Sequence, residues 1–256
     1  SQGADARDAA GNDNYWKNVI NNQSQYIYVG DDALLETTSG NNVADKVFTI
    51  ASANAANTLA HGTDGTGPSI SEGQDLLADA DKVDVSLIMC GGYDTTAVQG
   101  AIDNISLKRL DCVTFFSPTK TNIVKAGVVA SDATGDKETI GRDTSYAFMD
   151  SGWKYQYDKY GDIYRWIPLN GDMAGLCART EQQRDAWWSP AGFNRGQIKN
   201  VVKLAFNPNK TQRDALYKAS VNPVATFTGS GTMLFGDKTL QTRPSSFDRI
   251  NVRRLF

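Results

Sequence analysis

The chain has 256 residues, 40% of them hydrophobic, and sets 26 Lys and Arg against 29 Asp and Glu for a net charge of −3. That length allows one or two domains with a substantial core, and the near balance of charge gives no general reason to expect nucleic acid or an anionic membrane as a partner. No run approaches the ~18 consecutive apolar residues that would span a bilayer, and the N-terminus is polar rather than a charged-then-apolar leader, which predicts a soluble, unexported chain.

Residues 1–14 are Gly, Asp, Ala and Asn without an apolar period, which predicts a loose segment. Two runs, 26–29 and 46–50, are aromatic and β-branched between turn clusters and predict strands, and 61–68 is a glycine-rich loop. From Val83 the character changes. Residues 83–90 are nearly continuously apolar, as a strand covered on both faces would be, and Gly91-Gly92 ends them. Asp94 then caps a predicted helix with Val98, Ala101, Ile102 and Ile105 on one face, Cys112 to Phe116 forms the next buried strand, and a second helix is predicted over 122–130. This alternation predicts a βαβ unit with a right-handed crossover.

Residues 153–158 and 163–167 read as a hairpin with one aromatic face. Packing is the expected use of that face; the other use is a stacking platform for a glycan. Asn170 is a predicted cap for a helix whose Met173, Leu176 and Cys177 face inward. Trp187 to Gly196 is a rigid corner, Thr211 opens a helix stopped by Asn222-Pro223, Gly229-Ser230-Gly231 joins two strands, and 248–256 opens an amphipathic helix. Cys90, Cys112 and Cys177 lie far apart with no C-x-x-C pair and a single histidine, so they predict small buried hydrophobes and no metal site.

The corner Trp187-Trp188-Ser189-Pro190-Ala191-Gly192-Phe193-Asn194-Arg195-Gly196 stands in an ordered series of motifs. Upstream lie Trp166-Ile167-Pro168 and Gly171-Asp172-Met173-Ala174-Gly175; downstream lie Asn222-Pro223, Phe235-Gly236-Asp237-Lys238-Thr239-Leu240 and Ile250-Asn251-Val252-Arg253-Arg254-Leu255-Phe256. Together they resemble the tail sheath proteins of contractile-tailed bacteriophages, the T-even type above all, from about Val83 to the last residue. The resemblance implies a mixed α/β fold: a subtilisin-like α/β sheath core over 81–205, preceded by the remainder of a β-rich outer domain over 1–80 and followed over 206–256 by the start of a C-terminal domain. It further implies a structural virion subunit, not an enzyme and without cofactors, assembled in the host cytoplasm. Such subunits stack as hexameric rings on a six-start helix around a tail tube, meet baseplate and tail terminator proteins, and contract to drive the tube through the host envelope. Set against the full-length pattern the terminal arms are missing, which predicts a chain that folds as a piece without polymerising.

Three features bear on chemistry. His61-Gly62-Thr63 matches the histidine motif of subtilisin-like serine proteases, but Gly231-Thr232 is followed by Met233 where a nucleophilic serine is needed, and Asp31 and Asp32 lie in a plain turn. A subtilisin-like hydrolase is therefore the alternative reading, and an exposed loop histidine the expected one. Gly91-Gly92 sits where a phosphate loop would, without G-x-x-x-x-G-K-[ST] or G-x-G-x-x-G anywhere, so mechanical work would have to draw on assembly energy rather than ATP. Arg249, Arg253 and Arg254 give the last helix a basic edge, which reads either as a solvated face or, through the resemblance, as contacts to an acidic tail tube.

Overall fold

The computed structural model describes Arg7 and residues 9–11, 15–25 and 69–255. Two compact units divide the chain, Ser1–Thr63 and Asp64–Phe256. In the first, the described residues form one helix, α1 (Trp16–Gln23). The strands expected at 26–29 and 46–50, and the loop with His61, lie outside the described residues.

The second unit opens with α2 (Ile70–Leu77), started by a capping box in which Ser69 Oγ accepts from the Glu72 N–H and the Glu72 carboxylate accepts from the Ser69 N–H at 2.6 Å. Three strands, β1 (Leu87–Met89), β2 (Val113–Phe116) and β3 (Ala147–Met149), then form a parallel sheet in that order. Parallel neighbours need crossovers, and both crossovers carry helices. In the first, Asp94 Oδ1 accepts the Ala97 N–H at 2.9 Å and caps α3 (Thr95–Gly100), which widens into a π-helical stretch, Ala101–Ser106, and ends in α4 (Leu107–Arg109). Val98, Ala101, Ile102 and Ile105 are all buried, as their spacing predicts.

Two expectations change here. The first strand is shorter than 83–90 and is not covered on both faces: it is the edge of the sheet, and Met89 is 57% exposed. Its approach is held by a side chain instead of a ladder, since Arg109 Nη1 donates to the Leu77 and Val83 carbonyls at 2.9 and 2.7 Å. The helix expected over 122–130 is two helices, α5 (Lys120–Ile123) and α6 (Ala130–Ile140), parted by a turn at Gly127 with φ 70°. Asp132 accepts the Val129 N–H at 2.8 Å and restarts the helix there. Buried Asp136 binds α6 to α5, accepting from the Thr119 N–H and the Asn122 amide at 2.6 Å each.

Beyond β3 come an antiparallel hairpin, β4 (Trp153–Asp158) and β5 (Ile163–Pro168), then α7 (Asn170–Gln183) and the short β6 (Lys203–Leu204), which adds to the free side of β4. α8 (Lys210–Lys218) has its cap two residues before the expected Thr211, because the capping box is Asn209 with Gln212: each side-chain oxygen accepts the other's N–H at 2.9 Å. Asn209→Ala is expected to cost about 1 kcal/mol, read as a fall of about 2–4 °C in Tm by calorimetry. The hairpin β7 (Val224–Phe227) and β8 (Gly231–Leu234) turns through Gly229 and Gly231, both at positive φ, and α9 (Ile250–Leu255) ends the described chain.

The parallel sheet lies between two cores. Phe116, Ala147 and Met149 face Ile102, Ile105, Ile123 and Ile140 on one side, while Val113, Phe115 and Phe148 face Met173, Leu176 and Cys177 of α7 on the other. Residues after Phe206 feed both: Leu216, Val221 and Leu240 the first, Val224, Leu234 and Ile250 the second. The architecture is mixed α/β.

Candidate functional site

Open α/β sheets bind ligands in the crevice outside the carboxyl ends of their strands. In this sheet those ends are Gly91 after β1, Ser117 after β2 and Asp150 after β3, and the chain fills the space between them. Asn170 was expected to cap α7; the cap position is Leu169, and the Asn170 amide donates instead to the Gly91 carbonyl at 2.7 Å and to Ser117 Oγ at 3.1 Å. Ser117 Oγ also accepts the Asn170 N–H at 3.0 Å and donates to Asp150 Oδ2 at 2.6 Å, while Asp150 Oδ1 accepts the Gly152 N–H at 2.8 Å. The Trp153 indole donates to the Pro118 carbonyl at 2.7 Å and lies so close to Gly92 that an added Cβ would sit 2.9 Å from its ring. Ser151 Oγ accepts the Val224 N–H at 2.9 Å, tying the second hairpin to the same place.

The electrostatics follow from enclosure. Burial pushes the Asp150 carboxyl up to about 8, against the Ser117 and Gly152 hydrogen bonds that favour its anion. Burial also raises Asp172, opposed by Lys154, whose ammonium donates to it at 2.9 Å and to the Lys199 carbonyl at 3.3 Å. Ser117 has the Asp150 carboxyl group in contact, yet both its lone pairs receive Asn170 donors and its proton points to Asp150. This arrangement locks sheet, hairpin and α7 together; it does not activate a nucleophile. Cys90 and Cys177 are free, buried thiols pushed up to about 12 by desolvation, far from the thiolate state that attack or metal binding needs. Among the described residues no group of His, Cys, Asp and Glu is placed to hold a metal ion.

The three arginines of the basic edge turn toward the domain. Arg249 donates to Asp237 Oδ1 at 2.7 Å and to the Tyr217 hydroxyl, and Asp237 also accepts from Ser189 at 3.0 Å, which anchors the last helix to the tryptophan corner. Arg253 lies between the rings of Tyr146 and Phe247, 4.3 Å from each centroid. Arg254 pairs with Glu181 of α7. The side chain of Arg249 is 38% exposed and that of Arg254 only 5%.

The aromatic face of the first hairpin is engaged with itself. Tyr155 packs on Trp166 at 4.9 Å and Tyr164 at 5.5 Å, and the Lys203 ammonium covers Tyr155 and Trp166. The corner is knitted along β8: Gly192 N–H donates to the Leu234 carbonyl at 2.9 Å and Ile198 N–H to the Thr232 carbonyl at 2.9 Å, with the Arg195 guanidinium over Trp188. The lock at Ser117, Asp150 and Asn170 escaped the sequence reading. Its one local signal is a carboxylate directly after the apolar Ala147-Phe148-Met149 run.

Comparison with known proteins covers most of this second unit. Residues 69–240 match the phage tail sheath protein central domain. The tail sheath protein of Vibrio phage KVP40 is 45% identical over 205 residues, 72% of this chain and 31% of that one. The tail sheath protein of Enterobacteria phage T4 is 42% identical over 209 residues, 75% and 31% of the two chains. The chain thus spans about a third of the length of these curated relatives. In fold it is similar to a chain of the PVC sheath complex in its contracted state, with a TM-score of 0.54 at 21% identity over 68% of this chain and 44% of that one.

Proposed function

The chain belongs to the phage tail sheath protein family, and from that premise we propose that it is the central part of a structural subunit that polymerises around a tail tube and contracts to drive the tube through a host envelope. One observation carries the reading: within the stretch that matches the sheath domain, the sheet end where an α/β enzyme opens a crevice is filled by Trp153, Asn170 and Asp150. A domain sealed in this way is suited to move as a rigid body between two sets of interfaces, with the energy held in the lattice.

The finer features belong to the same proposal. The parallel sheet packed on both faces is the subtilisin-like core of the subunit. Copies stack as hexameric rings on a six-start helix, an array made by head-to-tail contacts whose rotation does not close, between baseplate and tail terminator, in a virion assembled in the host cytoplasm. Of the basic edge, Arg249 reaches the tube, being the more exposed of the two arginines whose ion pairs hold the last helix, and Arg253 and Arg254 set that helix in place. The hydrolase alternative gains no support: the relatives carry the name of sheath proteins, and Met233, at the position where a nucleophilic serine is needed, is a buried residue of β8.

Negative-stain microscopy tests the proposal on the full-length protein carrying this sequence, mixed with purified tail tubes. Striated sleeves are expected at low salt, shorter at high salt as exposed charges are screened, and reduced several-fold in coverage by Arg249→Gln. Bare tubes beside a monodisperse monomer would overturn it.

A further inference from the structure

The two ends of the parallel sheet carry surfaces of opposite character. Beyond the carboxyl end stands the β7–β8 hairpin, held there by Ser151 at the Val224 N–H. Val224 and Leu234 enter the core, and strand alternation turns Phe227 to the opposite face. There it meets Phe193 of the corner and Phe235 after β8, the three ring centroids lying 5.3 to 5.5 Å apart. Phe193 is 58% exposed and Phe235 40%. Single exposed apolar side chains are ordinary, but three rings in mutual contact form a patch, and such patches mark interaction surfaces. Arg213 lies over Phe227 at 5.1 Å, and Arg195, two residues after Phe193, lies over Trp188 at 4.9 Å. Each gives an N–H to a backbone carbonyl, of Pro208 and of Ser189, and neither has a carboxylate partner among the described residues. The segments that build the patch, 191–196, 209–214 and 226–236, carry three cations, Arg195, Lys210 and Arg213, against one carboxylate, Asp214. Aromatic rings beside arginines are the composition of interface anchors.

The other end has the complementary chemistry. α2 runs toward the amino end of the sheet, where Arg109, just ahead of β2, holds the Leu77 and Val83 carbonyls. None of the residues of α2 is fully buried, and Leu76 is 74% exposed. Residues 69–84 carry five carboxylates against a single cation, Lys82. Glu72 is engaged in the capping box and Asp79 with Lys82 at 3.0 Å, which leaves Asp75, Asp81 and Asp84 without an ion-pair partner among the described residues.

We propose that the face made by Phe193, Phe227 and Phe235 receives α2 of a second copy of this chain, with Leu76 on the rings and the carboxylates of residues 75–84 on Arg195 and Arg213. An apolar centre inside a cationic rim selects this acidic helix over a second copy of the patch itself, whose arginines would repel. The contact joins features at opposite ends of one sheet, so it is head-to-tail and open, the kind that propagates an array instead of closing a dimer. It rests on the assembly reading above and names the two surfaces that would carry it.

Cross-linking of the assembled full-length protein tests the contact. Gly73, one turn before Leu76, is exposed with nothing within 4 Å of an added Cβ, Asn194 is exposed beside Phe193, and the three thiols of this sequence are buried. A benzophenone maleimide on Asn194→Cys is expected to mark residues 69–84 of a second copy on illumination, several-fold less when Asp75→Lys and Asp81→Lys are added. A bis-maleimide is expected to turn the Gly73→Cys/Asn194→Cys double variant into a ladder of linked multimers, with neither single variant doing so. Marking of the tube or of the neighbour's own corner, or no ladder while sleeves still form, would overturn the contact and leave the sheath reading standing. Absence of assemblies in every sample, wild type included, would overturn the reading and the contact together.

Discussion

Gly196→Ala is expected to destabilise the protein by about 3–5 kcal/mol, close to the limit for a single substitution. An added Cβ would lie 2.6 Å from the Leu234 carbonyl oxygen, 2.8 Å from the Gly192 carbonyl oxygen and 2.9 Å from the Gly192 nitrogen. All three are backbone atoms and none can rotate away. They also belong to the bonds that close the corner: Gly196 N–H to the Gly192 carbonyl at 2.8 Å, Leu234 N–H to the Gly196 carbonyl at 2.8 Å, and Gly192 N–H to the Leu234 carbonyl at 2.9 Å. Overpacking alone costs roughly 1–3 kcal/mol, and each displaced hydrogen bond adds about 1. Gly175 is the control. It stands exposed inside α7 with nothing within 4 Å of an added Cβ, so Gly175→Ala is expected to stabilise by up to about 1 kcal/mol through helix propensity. Urea denaturation of both variants reads the contrast. A Gly196→Ala protein within about 0.5 kcal/mol of wild type would mean that the corner is not closed as described.

What the sequence made legible was set by local physics. Val98, Ala101, Ile102 and Ile105 recur at helical spacing behind a capping Asp94, and nothing distant was needed to place that helix or its inner face. The glycine turn between β7 and β8 and the alternation of Tyr155 and Tyr157 specify hairpins for the same reason, because turn and partner lie within a few residues. What stayed hidden depends on distant partners. The first strand is short because Arg109, more than twenty residues on, holds the carbonyl of Val83. α6 has little apolar stripe to announce it; it is fixed through Asp136, whose partners lie in and before α5. The lock joins Ser117 to Asp150 and Asn170 across 33 and 53 positions, separations at which a single sequence carries no pairing signal. Charge was legible as composition but not as direction. Arg249, Arg253 and Arg254 read as an outward basic edge, and in the fold they face Asp237, two aromatic rings and Glu181.

Asp150 is expected to make the protein less stable as pH rises through neutrality, contrary to the usual behaviour of a carboxylate. Below its ordinary value of 3.8 the group is protonated in folded and unfolded chains alike. Between there and about 8 the unfolded chain releases the proton while the buried carboxyl keeps it, so the folded state binds more protons and every unit of pH favours unfolding. Beyond about 8 both states are ionised and the loss is complete. Asp172, raised by the same burial, acts in the same direction, whereas Asp132 and Asp158, lowered by their hydrogen bonds, lose their stabilising effect only as pH falls below their ordinary value of 3.8 and leave the slope above it unchanged. Calorimetry from pH 5 to pH 8 is expected to show a Tm falling by about 5–10 °C, with most of the slope removed in Asp150→Asn. A flat or rising wild-type profile, or an unchanged slope in the variant, would show that Asp150 is ionised throughout and the lock hydrated. The direction matters for mechanics. The proton sits where the parallel sheet, the first hairpin, α7 and the second hairpin meet, so the condition that keeps Asp150 neutral also keeps the domain rigid. In the subunit proposed above, a domain held in this way would pass the free energy of changing interfaces to its neighbours without absorbing it as internal strain.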